Sequence, residues 1–101
     1  MNMNILLTTS KKPSKETISL CKKLKKLKPK KLTKTFFIYE PRGAKSFYQI
    51  LDIARKKGLR RIAIIYDKNK APFEMRFLSV SLKDWKWGKT IKISDYFKKV
   101  N

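Results

Sequence analysis

Histidine is absent from this chain, cysteine occurs once, and aspartate and glutamate together number only seven in 101 residues. The missing histidine removes the commonest general base and the commonest metal ligand together. With Cys21 as the sole thiol and the carboxylates scattered, a structural zinc site has no ligand set, and no metal or other cofactor is expected. A single cysteine excludes an internal disulfide and suits a reducing cytoplasm, which is the expected location. No apolar run approaches the roughly 18 residues that would cross a bilayer as a helix. The start, Met1-Asn2-Met3-Asn4, lacks the cationic and apolar regions of a secretory signal. Neither a Gly/Ser linker nor an internal repeat divides the chain, so residues 1–101 are expected to form one domain.

What the chain has in excess is positive charge. Twenty-seven lysines and arginines give a formal net charge of +20, and 22 of those cations are lysine. Self-repulsion on this scale opposes compaction and points to a strongly anionic partner. A lysine-rich but neutral protein balances lysine with glutamate, and this one does not. Nucleic acid is the first candidate, because each bound phosphate offers one charge to neutralise. The apolar fraction of 42% and the twelve aromatic residues argue for a folded core in spite of the charge.

The apolar runs set an order of elements. Asn4 to Thr9 reads as a short strand buried on both faces, followed by the polar segment Ser10-Lys11-Lys12-Pro13-Ser14. Ser14 suits a helix N-cap, with Glu16 in the first turn where a negative charge favours the dipole. Ile18, Cys21, Leu24 and Leu27, with Leu20 beside them, form an apolar stripe, and Pro29 ends that helix. Phe36 to Tyr39 is a second strand, and Pro41-Arg42-Gly43 a turn. A second helix is expected from about Lys45 to Lys57, with Phe47, Ile50, Leu51 and Ala54 inward and Gly58 as a left-handed cap. Arg61 to Tyr66 is the third strand, Asp67 to Pro72 a polar loop, and Phe73 to Leu82 a longer strand. Beyond residue 83 the pattern weakens to a short strand at Thr90–Ile93 and a helical turn over Ser94–Val100. The order β-α-β-α-β-β implies a three-layer α/β domain whose first three strands are parallel.

In such a sheet, ligands collect beyond the C-terminal strand ends. Three loops fall there, and all carry cations: Lys11 and Lys12, then Arg42 and Lys45, then Lys68 and Lys70. The first two lead into helix N-termini, whose free amides favour phosphate, and Thr9, Ser10 and Ser14 add hydroxyl donors. Lys15 joins this set. The basic run Lys22–Lys31 reads as the solvated face of an amphipathic helix that raises the general potential; its apolar stripe is needed against the sheet, which argues against a membrane surface. Trp85 and Trp87 would share a face if extended, closing a small core in preference to stacking on bases. Cys21 reads as core and Asp67 as a turn former. The Thr8–Ser14 segment lacks the glycines and the Gly-Lys-Ser/Thr ending of a P-loop, which excludes ATPase chemistry of that kind.

The strand leading into Thr8-Thr9-Ser10-Lys11-Lys12-Pro13-Ser14, followed by Thr17 and Cys21-Lys22-Lys23-Leu24, resembles the start of the Brix domain of Imp4-like ribosome-biogenesis proteins. Arg42-Gly43, Gly58, the strand Arg61–Tyr66, and Asn69 with Pro72 are similar to the later elements of that family. Lys11 stands where the family usually has arginine. The resemblance spans about residues 4–82. It implies a mixed, mainly parallel sheet in the order 2-1-3-4-5, like the anticodon-binding domain of class IIa aminoacyl-tRNA synthetases. It also implies binding of ribosomal RNA or its precursor through Lys11, Lys12 and Arg42, alongside other assembly factors. Brix domains are usually longer and have a second half, so 1–101 would be a compact version or the first half, and the short length suggests an archaeal member.

The expected function is a non-enzymatic RNA-binding protein assisting ribosome biogenesis, with Ser10, Lys11, Lys12, Ser14, Lys15, Arg42, Lys45, Lys68 and Lys70 at the phosphates. The alternative is a structural ribosomal protein or ribosome-bound factor. An RNA-acting enzyme is the weakest reading, since only Asp67 lies near the proposed site.

Overall fold

The structure, a computed structural model, describes residues 3–26 and 35–95. Among the described residues the chain runs in the order β1 (Met3–Thr9), α1 (Lys15–Lys26), β2 (Thr35–Tyr39), α2 (Phe47–Lys56), β3 (Arg61–Lys68), β4 (Ala71–Val80) and β5 (Trp85–Lys92), and residues 93–95 are again helical. The strands form one sheet in the order β2-β1-β3-β4-β5. β1 pairs in parallel with β2 and β3, while β3–β4 and β4–β5 are antiparallel, so the sheet is mixed, with a parallel half and an antiparallel half.

Side-chain alternation along the strands builds two cores. Ile5 and Leu7 of β1, with Ala63 and Ile65 of β3, meet Leu20, Cys21 and Leu24 of α1. Leu6, Ile62 and Ile64 point the other way and meet Ile50, Leu51 and Ala54 of α2. Helices therefore cover opposite faces, which makes three layers. That is why Ile62–Ile65 can be an unbroken apolar run: a strand covered on both sides has no wet face to supply.

The ends of α2 follow the expected chemistry. Ser46 and Gln49 form a reciprocal capping box at the N-terminus. At the other end Gly58 adopts φ +70, its amide bonds Arg55 O, and Leu59 N bonds Ala54 O, the two bonds of a Schellman cap. Leu59 is buried in the α2-side core, which locks the chain direction into β3.

Several boundaries differ from the expectation. α2 begins at Phe47 because Ser46 is its cap, so Lys45 lies outside the helix. The stripe of α1 runs through Thr17, Leu20, Cys21 and Leu24, and Ile18 is only half-buried. The expected helix end at Pro29, the basic residues past Lys26 and the turn past Asp95 lie outside the described residues. The Asp67–Pro72 loop shrinks to a two-residue turn: Asn69 (φ +54) and Lys70 (φ +61) are both left-handed, as a tight hairpin requires, and Lys68 pairs with Ala71. β4 stops at Val80, leaving Leu82 exposed, and β5 is longer than expected, starting at Trp85.

Candidate nucleic-acid interface

The three parallel strands end on the same side of the sheet, and hydrogen bonds stitch their following segments into one rim. Ser10 N donates to Ile65 O at 3.0 Å and Glu40 N to Leu7 O at 2.8 Å. Arg42 Nη1 donates to Thr9 O at 2.8 Å, joining the segment after β2 to the end of β1. Ser14 N donates to Asp67 Oδ2 at 2.7 Å, joining the start of α1 to the end of β3. Ser10, Lys11, Lys12, Ser14, Lys15, Arg42, Lys45, Lys68 and Lys70 are thus all placed on or beside one rim.

Their surroundings divide them sharply. Arg42 is buried, with Nε on Lys45 O at 2.8 Å and Nη1 on Thr9 O. Nε and Nη1 are both spent on backbone carbonyls, so this buried side chain acts as a buckle rather than an exposed phosphate clamp. No carboxylate pairs with it among the described residues. Lys45 is half-buried; its Nζ lies 3.2 Å from Glu40 Oε2 and donates to Pro41 O at 2.9 Å. Ser14 Oγ accepts from Thr17 N at 3.2 Å, the N-cap bond expected of it, and also donates to Thr17 Oγ1 at 3.1 Å. Lys11, Lys12, Lys15, Lys68 and Lys70 are exposed. Lys12 sits at φ +56, which bends the segment, and Lys68 Nζ lies 4.8 Å from the centre of the Phe73 ring.

Asp67 is not the turn former it resembled. It lies in β3, and its carboxylate accepts from Ser14 N and from the Thr17 hydroxyl. A carboxylate there satisfies an orphan amide and complements the positive end of the α1 dipole. At α2, Gln49 N donates to Ser46 Oγ while Ser46 N donates to Gln49 Oε1. Both helix N-termini therefore carry caps supplied by the chain itself, which leaves fewer free amides for phosphate than the sequence suggested. Asp67 and Thr17 escaped notice because a contact across 50 residues has no local signal. Their only trace is topological: β3 lies beside β1, so its last carboxylate faces the turn that follows β1.

Beneath the rim the α1-side core is neutral. Burial, with a smaller contribution from the Asp67 carboxylate, pushes the Cys21 thiol up to about 12 from 9.0. Tyr39 is raised by burial and then by Cys21. Cys21 is a core residue here, fully buried and inert as a nucleophile at neutral pH. Trp85 packs against the α2-side core, whereas Trp87 stays 42% exposed.

No protein-family model matches the chain. Over 82 residues it is 37% identical to a probable Brix domain-containing ribosomal biogenesis protein of Pyrobaculum aerophilum, covering 81% of this chain and 42% of the relative. The chain is a homologue of the archaeal Brix-domain proteins. A second such relative, from Thermococcus kodakarensis, is 33% identical over 81 residues, covering 80% of this chain and 36% of its own length. Among solved structures, a probable ribosomal biogenesis protein of Aeropyrum pernix K1 superposes with a TM-score of 0.76 at 23% identity, over 90% of this chain and 48% of that one. Mil, an archaeal Imp4-like protein, superposes with a TM-score of 0.57 at 30% identity, over 73% of this chain and 42% of its own. The chain thus spans less than half the length of each of these four proteins.

Proposed function

We propose that this chain is a non-catalytic RNA-binding protein of ribosome biogenesis that holds ribosomal RNA phosphates through Lys11, Lys12, Lys15, Lys68 and Lys70. The observation that carries the proposal is the convergence of these five exposed lysines on one rim with no ion-pair partner among the described residues. Homology to Brix-domain proteins supports the ribosomal setting, and the sheet order supports extending the likeness to RNA-binding anticodon domains. Arg42, Ser14 and Lys45 serve by holding the rim in shape. The non-catalytic reading is supported by Asp67, the carboxylate at the end of β3, having both oxygens committed to the start of α1.

Lysine ammonium groups contacting phosphates make a binding mode governed by counterion release. With five contacts at roughly 0.7 to 0.9 each, the slope of log affinity against log salt is about −3.5 to −4.5, or a loss of roughly 130- to 500-fold between about 50 and 200 mM salt. The test is a salt titration of binding to a structured ribosomal RNA fragment. Replacing Lys11, Lys12 and Lys70 together by alanine should flatten the slope by about 2 to 3. An unchanged slope refutes the site. Crosslinking in the native cell followed by sequencing tests the ribosomal assignment, which scattered RNA would overturn.

A further inference from the structure

Four aromatic rings gather on the α2 side of the sheet at its β5 edge. Phe47 lies 4.8 Å from Trp85, 5.6 Å from Trp87 and 5.7 Å from Tyr48, and the two tryptophans are 5.8 Å apart and perpendicular. The inner members, Phe47 and Trp85, pack against the core. The outer members do not: Tyr48 is 65% exposed and Trp87 42%. An indole and a phenol held by edge-to-face contacts yet left in water are more than core closure requires.

The register of β5 shows what continues from this cluster. Trp85 and Trp87 oppose Val80 and Leu78, and after an irregularity in pairing Thr90 opposes Arg76 and Lys92 opposes Glu74. The same face therefore runs from the rings to Arg76, which lies 4.3 Å over the Tyr66 ring and pairs with Glu74 at 2.6 Å, and to the exposed Lys92. Lys89 sits at the irregularity, also exposed.

Charge chooses among the possible occupants. A second copy would bring another +20 against this one. The lysines at 86, 89 and 92 along the open edge of β5 further oppose strand-to-strand pairing between copies. An apolar protein surface would cover the rings but leave those cations without counter-charge. An unpaired nucleotide supplies both missing parts, a π face for the ring and a phosphate for the lysine. Bases inside a duplex are already stacked on each other and cannot reach Trp87.

We propose that Trp87 and Tyr48 form a stacking platform for unpaired bases of single-stranded RNA, with Lys89 and Lys92 taking the adjoining phosphates. This deepens the RNA-binding reading and adds to it a second set of side chains, distinct from the five rim lysines. The experiment titrates the protein with short oligo(A) RNA and, in parallel, with an RNA duplex, following tryptophan emission and affinity. Oligo(A) should quench the emission and the duplex should not. Trp87→Ala and Tyr48→Ala should each weaken oligo(A) binding by about 5- to 150-fold and leave duplex affinity unchanged, while Trp87→Phe keeps most of the binding. Tyr48 is an exposed helix residue, so its variant reports on binding even if Trp87→Ala is destabilised. The proposal is overturned if both alanine variants bind oligo(A) like the wild type, or if quenching is absent. It is also overturned if the protein sediments as a dimer that Trp87→Ala dissociates, since the face would then belong to a second copy. Failure here with duplex binding still sensitive to the rim lysines leaves the rim reading standing. Loss of duplex binding altogether removes that reading while the oligo(A) titration still decides this one.

Discussion

Replacing Asp67 by alanine should destabilise the fold far more than its position at a strand end suggests. Its two oxygens hold the start of α1, through Ser14 N at 2.7 Å and the Thr17 hydroxyl, and Thr17 is fully buried. Hydrogen bonds to a charged group contribute about 1.5–3 kcal/mol each. The carboxylate's interaction with the α1 dipole adds about 0.3–1 kcal/mol. These contributions share one group and overlap, and the Ser14 cap survives the substitution, so a loss of about 2–4 kcal/mol is expected. For a domain of this size that lowers the melting temperature by roughly 10–25 °C. Urea unfolding followed by circular dichroism measures the free energy, and Asp67→Asn, which retains one acceptor, should lose about half as much. A second readout is independent of stability. With the carboxylate gone, the Cys21 thiolate should appear at a lower pH than in the wild type, yet remain above 9.0 because burial is the larger cause of its shift. A loss below about 0.5 kcal/mol in both variants, the level of an ordinary surface change, would refute the bracket between β3 and α1.

Two further outcomes follow from particular atoms. The folded Cys21 thiol is raised above its unfolded value, so its neutral form contributes stability that is complete below pH 9 and is lost as pH rises from 9.0 toward about 12. Wild type should therefore lose stability relative to Cys21→Ala by up to about 1 kcal/mol per pH unit in that window, with lysine titration cancelling in the comparison; a gap independent of pH would contradict the burial. Lys70 occupies a left-handed turn position at φ +61, where a side chain costs about 1 kcal/mol. Lys70→Gly should raise the melting temperature by roughly 2–8 °C in thermal unfolding, and a decrease would mean that the turn has another geometry.

The parts of the fold written in local patterns were legible. The run Asn4–Thr9 announced a strand covered on both faces, Arg61–Tyr66 announced the third strand, and the spacing of Ile50, Leu51 and Ala54 before Gly58 announced α2 and its cap. The parts decided by distant atoms were not. Thr17 displaces Ile18 from the stripe of α1 because Asp67 captures its hydroxyl from β3. Arg42 read as a surface cation because nothing in Pro41-Arg42-Gly43 reveals that the Thr9 and Lys45 carbonyls will receive it. Trp85–Lys92 mixes lysine, glycine and tryptophan without a clean alternation, so only its pairing with β4 declares it a strand. The convergence of the rim followed from element order alone, but the division of its residues into buckles and free lysines required the hydrogen bonds.

That division bears on how a chain of +20 can fold before it meets an anion. Were phosphate needed at the two helix starts, folding would depend on RNA. Instead Asp67 with Ser14, and Ser46 with Gln49, supply the caps internally. Arg42 is anchored by carbonyls, so the rim takes its shape without a ligand. The exposed lysines then repel one another in the free protein, and that repulsion is relieved on binding. The two groups of residues should consequently respond in opposite directions. Removing rim lysines lowers RNA affinity and leaves stability unchanged or raised, because each substitution reduces self-repulsion. Removing Asp67 or Arg42 lowers stability first, and affects RNA only through the share of molecules that remain folded.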